Sequence, residues 1–150
     1  ENVASVAGKM DNRVIAAYQQ LGFKLVVDPS VNYSGYFDAR SRSITMKQID
    51  DSVYHELGHF LAFIAGNADK TASFQSIFAA EKANVTAFNK AYVTQNASEY
   101  FAESVKDYIL NNASLKSSRP QTYAAVQNAL NQITDAQIAK IQKIYGAFWN

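Results

Sequence analysis

The apolar positions of the chain fall into blocks of different period. Val14, Tyr18 and Leu21 recur at helical spacing, so they share one face of a helix. Asp11 is placed to cap its start and Gly22 to end it. Phe23 to Asp28 is a β-prone run that Pro29 stops, and it reads as a strand. Ser30 to Gly35 is a loop. Tyr36-Phe37 and Ser43 to Met46 read as two short strands, and Asp38 to Ser41 supply turn chemistry between them. The expected result is a hairpin, whose free edge could accept an extended peptide as an added strand.

Helical spacing then returns. Val53, Leu57, Phe60, Leu61 and Ile64 wrap most of a helix from Val53 to about Ala65. Such a helix is expected to be largely buried. Asp50 or Asp51 is its cap and Gly66 its stop. Ser73 to Val85 reads as the next helix, and residues 86–92 carry no clear period. Ser98 to Leu110 is a strong helix with Ser98 as its cap. Asn111 to Ser118 reads as a polar loop. Ser118 then caps a helix with Pro120 in its first turn. Thr134-Asp135-Ala136-Gln137 is a capping box for the last helix, whose apolar face is Ile138, Ile141, Ile144, Tyr145 and Phe148. With no repeat and no linker, residues 1–150 read as one α+β domain. It is mainly helical, with a small mixed sheet or hairpin above the Val53–Ala65 helix.

Composition narrows the classes. The apolar share is 48% and the formal charge is +1, with scattered bases and no basic cluster, so nucleic acid is not an expected partner. There is no cysteine, hence no disulfide framework, thiolate metal site or cysteine nucleophile. No run is long and apolar enough to span a membrane. Asn32, Asn84, Asn96 and Asn112 each open an Asn-x-Ser/Thr triplet, read here as composition only. The polar, cysteine-free composition suggests a secreted bacterial protein, with a signal peptide removed before Glu1, and a monomer.

Both histidines of the chain lie in His55-Glu56-Leu57-Gly58-His59. In a helix, positions i and i+4 share a face, so both imidazoles can reach one metal ion. Glu56, beside that face, is placed to act as a general base on water. This is the H-E-x-x-H pattern of zinc peptidases. A catalytic zinc takes three protein ligands. A third histidine six residues on is excluded, because that position is Ala65. The acidic candidates are Asp69, Glu81, Glu99, Glu103, Asp107 and Asp135. Glu99 and Glu103 stand out, since their i, i+4 spacing puts two carboxylates on one face of a helix. Two such groups would repel unless a cation and an imidazole N–H lay beside them. Glu99 is the expected ligand and Glu103 the partner of a histidine ring, with the reverse assignment open. Tyr92, seven residues before Glu99, is a candidate donor to an oxyanion.

The two histidines with Glu56, then Tyr92, then Glu99-Tyr100-Phe101-Ala102-Glu103 together resemble the catalytic domain of the anthrax lethal factor family, which includes secreted Pro-Pro endopeptidases. The resemblance runs from about Tyr36 to Leu110. It implies zinc on His55, His59 and Glu99, Glu56 as general base, Tyr92 as oxyanion donor and Glu103 as a brace behind the ligands. The chain departs from the Pro-Pro endopeptidases in two ways. Its one tryptophan is Trp149 rather than a residue on an early strand near the cleft, and no Gly-Gly-Ser-Thr-type loop is present. The expected function is a secreted zinc endopeptidase acting on protein or peptide substrates, with proline-rich surface proteins as one class. The alternative is a catalytically silent module that keeps zinc and binds protein.

Overall fold

The structure is a computed structural model and describes residues 1–149. A short helix α1 (Val3–Val6) precedes α2 (Asn12–Gln20). Asp11 caps α2 by accepting the Arg13 N–H at 2.8 Å. Gly22 ends it at φ +77°, a left-handed conformation that favours glycine. Three strands follow, β1 (Lys24–Val27), β2 (Gly35–Asp38) and β3 (Ser43–Met46). The expected hairpin is present, with Gly35 opposite Met46 and Asp38 opposite Ser43 in antiparallel register. β1 lies parallel to β3 on the other side. β3 is therefore central, and among the described residues the outer edge of β2 has no strand partner.

Helix α3 (Ser52–Ile64) carries the two histidines and is buried nearly all round. Asp51 holds the cap position without a side-chain bond, and Asp50 takes the Ser52 amide at 2.9 Å. The side chain of Phe60 meets those of Tyr18 and Phe23 at ring separations of 4.9 Å each. That aromatic knot locks α3 against α2 and the sheet. Helix α4 (Ala72–Glu81) is capped by Thr71 and followed by a 3-10 turn, Lys82–Asn84. The expected single helix through Val85 thus ends four residues early. Helix α5 (Lys90–Val93) occupies part of the stretch with no clear period.

Helix α6 (Ala97–Leu110) starts one residue before Ser98, because Asn96 is the cap and accepts the Glu99 amide at 2.8 Å. Asn111 to Ser118 is not a loop. Residues Asn112–Ser118 form α7, held down by the buried side chain of Leu115. Tertiary burial overrides the weak helix propensity of the asparagines and serines here. Ser118 ends α7 rather than capping α8 (Pro120–Asn131). The amides of Gln121 and Thr122 are instead taken by Glu81 of α4, at 3.1 and 2.8 Å. The last helix, α9 (Asp135–Trp149), has the expected Thr134 bond to Gln137 N–H, at 3.1 Å. The Gln137 side chain reaches Ile64 O at 2.9 Å instead of returning to Thr134. Ile141 is buried, but Phe148 is 74% exposed, so the apolar face of α9 is covered only in part. The molecule is mainly helical α+β, as the pattern predicts. Among the described residues no helix is long and apolar enough to cross a membrane.

Candidate active site

The site lies where α3 crosses α6. A Cβ on Gly58 would stand 2.6 Å from the carbonyl oxygen of Ala102 and 2.8 Å from its Cα, closer than atoms can approach. Only glycine permits this crossing, and Ala102 keeps the opposing helix slim. Gly58 lies between His55 and His59, and Ala102 between Glu99 and Glu103. The close approach therefore brings the two pairs face to face.

The contacts are specific. Oε1 of Glu99 lies 3.2 Å from His55 Nε2 and 2.6 Å from His59 Nε2. Oε1 of Glu103 lies 2.9 Å from His55 Nδ1. A neutral His55 that donates its Nδ1–H to Glu103 presents the Nε2 lone pair to the same point as His59 Nε2. One donor atom each from His55, His59 and Glu99 lies within 4.8 Å of the others. Donor atoms around a tetrahedral zinc stand roughly 3.3 Å apart, so a cluster of this size and of nitrogen and carboxylate donors fits a divalent ion. The Tyr92 hydroxyl donates to Glu99 Oε2 at 3.2 Å, while the ring is 55% exposed.

Burial and charge set the protonation of the cluster. Burial disfavours the His55 imidazolium, but hydrogen bonds to Glu103 and Glu99 overcome this and raise its pKa to about 9. Burial also opposes ionisation of Glu99 and Glu103, yet the His55 bonds, with His59 for Glu99, hold both carboxyls below their usual range. Glu56 is buried and accordingly pushed upward. Tyr92 is pushed up to about 12 by partial burial and by the Glu99 charge, which keeps its phenol a donor at neutral pH.

The other acidic candidates have different roles. Glu81 caps α8, and Asp107 pairs with the buried Arg119 at 2.6 Å. Asp135 lies in the first turn of α9. Asp69 is buried near the site but outside the cluster.

A cleft of about 520 Å³ opens beside His59, Glu56 and Glu99, between the β2 edge and the segment from Gln95 into the first turn of α6. A second, of about 370 Å³, lies beside His55 and Tyr33. Gly35, Glu56 and Tyr92 line both, so the two are halves of one groove through the cluster. Gly35 is needed here too, since a Cβ would stand 2.9 Å from Glu56 Cγ. Trp149 does not enter the groove. It packs edge-on against Phe23 and donates its indole N–H to Ala39 O at 3.0 Å, supporting the hairpin from behind.

Five contributors to the site escape the sequence pattern. Asn96 was visible only as a glycosylation triplet, although Asn-x-x-Glu before an apolar run is also a helix-start signal. Gly58 and Ala102 carry no local signal, because the need for small residues arises only where two helices meet. The exposed rings of Tyr33 and Tyr36 beside the groove likewise had no signal among nine tyrosines.

Fold and site together define a small α+β protein built on a His-His-Glu cluster in an open groove, with a buried glutamate beside it. The chain belongs to the anthrax toxin lethal factor family: the family's description, the N- and C-terminal domain of that toxin, matches residues 9–129. It is also similar to the Pro-Pro endopeptidase of Clostridioides difficile (strain 630), with 41% identity over 78 residues, covering 49% of this chain and 34% of that protein. The similarity thus spans about a third of the relative's length.

Proposed function

We propose that this chain is the catalytic domain of a secreted zinc endopeptidase. The observation that carries the reading is the convergence of His55 Nε2, His59 Nε2 and Glu99 Oε1 beside buried Glu56, in a groove bounded by an unpaired strand edge. His55, His59 and Glu99 would hold the ion, and Glu103 would fix the His55 ring. Zinc held there supplies Lewis acidity to the scissile carbonyl and to water. Glu56 takes the proton of the attacking water on its carboxylate and passes it to the leaving amine nitrogen. Its upward-shifted pKa brings it closer to neutrality, where a group that must both take and give a proton works best. The Tyr92 hydroxyl leaves Glu99 and donates to the oxyanion of the tetrahedral carbon. The β2 edge aligns the peptide as an added strand.

The name of the clostridial relative makes proline-containing peptides the first substrates to assay. The exposed rings of Tyr33, Tyr36 and Tyr92 along the groove suit the flat faces of proline. The test is cleavage of a peptide library by zinc-loaded protein, with chelator and Glu56→Gln as controls. Cleavage is expected only for the zinc-loaded native chain. Zinc retention with no cleavage of any peptide would favour the silent binding module instead.

A further inference from the structure

Asp69 follows α3 and is 2% exposed. Its Oδ1 is buried and has no hydrogen-bond partner among the described residues. Its Oδ2 meets only Lys70 Nζ, at 3.5 Å, from a lysine whose side chain is 69% exposed. A buried carboxylate just before a helix ordinarily serves as its cap, but Thr71 Oγ1 already takes the Phe74 amide of α4 at 3.1 Å. Asp69 also lies outside the His-His-Glu cluster. A buried polar atom left without a partner lowers stability, more so when charged. Such an atom calls for a partner, whether a water, an ion or a group of a bound ligand.

Asp69 lines the groove on the His59 side, with Phe63, Asn67 and Lys70. Glu56 and Glu99 line the same cleft, and Lys70 is the one lysine or arginine among its described lining residues. We propose that Asp69 is the base of a subsite that takes a cationic nitrogen of the bound peptide, the side chain of lysine or arginine or a free N-terminal ammonium. An incoming ammonium or guanidinium supplies the donors Oδ1 lacks and displaces the loose Lys70 contact. Charge assistance makes such a bond among the stronger ones.

The proposal rests on reading the groove as peptide-binding, and two arms separate its failure from the failure of that reading. The first needs no catalysis. Agmatine, a free guanidinium probe, is titrated into the protein and backbone amide shifts are followed by NMR. Shifts centred on Asn67 to Lys70 are expected with agmatine and not with neutral pentylurea, and at least tenfold weaker binding in Asp69→Asn. Equal shifts with both probes, or none, would overturn the subsite. The second arm compares cleavage of matched peptides carrying lysine or norleucine at each position, with free and acetylated N-termini. The lysine-to-norleucine ratio in kcat/KM should exceed tenfold at one position and collapse in Asp69→Asn. A preference that follows the free N-terminus instead assigns the ammonium as the ligand, and a preference unchanged in Asp69→Asn overturns the proposal. If the native protein cleaves nothing, the peptidase reading falls and the agmatine arm alone decides Asp69. Asp69→Asn is close in shape and should melt no lower than the native chain, whereas a merely structural Asp69 would make it melt lower.

Discussion

At the scale of single residues, the proposed function divides the site into atoms that would hold an ion and atoms that would handle protons. Glu56 belongs to the second group. Glu56→Gln keeps the side chain's size within the space Gly35 leaves. It is expected to bind zinc with native stoichiometry while kcat falls by at least about 10²–10⁴-fold. Atomic absorption and a peptide assay on one preparation check both halves, and retained activity would refute the assigned role. Tyr92→Phe removes the donor proposed for the oxyanion. A fall of roughly 10²–10³ in kcat is expected with KM little changed. A rise in KM with kcat intact would make Tyr92 a binding residue only.

At the scale of elements, the α3–α6 crossing decides whether a site exists. Gly58→Ala drives a methyl group into the Ala102 backbone, and neither atom can move without parting the helices. Overpacking of this kind costs about 1–3 kcal/mol. Parting the helices also pulls Glu99 away from the histidines, so zinc affinity should fall together with urea stability. Native zinc affinity in a destabilised Gly58→Ala protein would show that the crossing does not set the ligand geometry. The capping of α8 by Glu81 gives a contrasting case. Glu81→Ala leaves the amides of Gln121 and Thr122 and the Thr122 hydroxyl without their acceptor. A loss of about 1–3 kcal/mol is expected in urea unfolding, with zinc affinity retained because the bonds of Glu81 go to Gln121 and Thr122 and not to the His-His-Glu cluster.

At the scale of the whole molecule, the proposed function makes protons and metal competitors for one cluster. In the metal-free protein the His55 pKa is raised from 6.5 to about 9. The stability its contacts contribute is complete below the unfolded value, 6.5, and is lost as pH rises through about 9. Glu99 and Glu103 are held below 4.5, so their contribution is present above that pH and is lost as pH falls through their folded values. The cluster should therefore stabilise the metal-free chain most between 4.5 and 6.5. Zinc requires a neutral imidazole, so its binding near neutral pH expels a proton, and its affinity climbs with pH up to about 9. Zinc at a hundred times its Kd adds about 2.7 kcal/mol, a rise in Tm of roughly 5–10 °C for a chain of this size. Thermal melts across pH 5–10, roughly spanning these transitions, with and without zinc, check this. The alkaline fall in Tm should disappear when zinc is present, and an equal fall in both series would show that His55 does not hold the ion.

The sequence by itself determined whatever depends on neighbours a turn or a hairpin away. The shared face of His55 and His59, the shared face of Glu99 and Glu103, the hairpin and the Asp11 cap all follow from helical or strand periods and short-range hydrogen bonds. Periodicity acts within one segment, so it could offer Glu99 and Glu103 as a pair yet leave open which of them meets both Nε2 atoms. That choice was made by the crossing of α3 and α6, which depends on Gly58 having no side chain opposite Ala102. Tertiary structure likewise turned the polar stretch from Asn112 to Ser118 into a helix, because burying Leu115 outweighs local propensity. It sent Glu81 to cap a helix some forty residues away, and laid β1 parallel to β3. It also left Oδ1 of Asp69 buried without a partner among the described residues, a property that no residue has until the surrounding chain has closed over it.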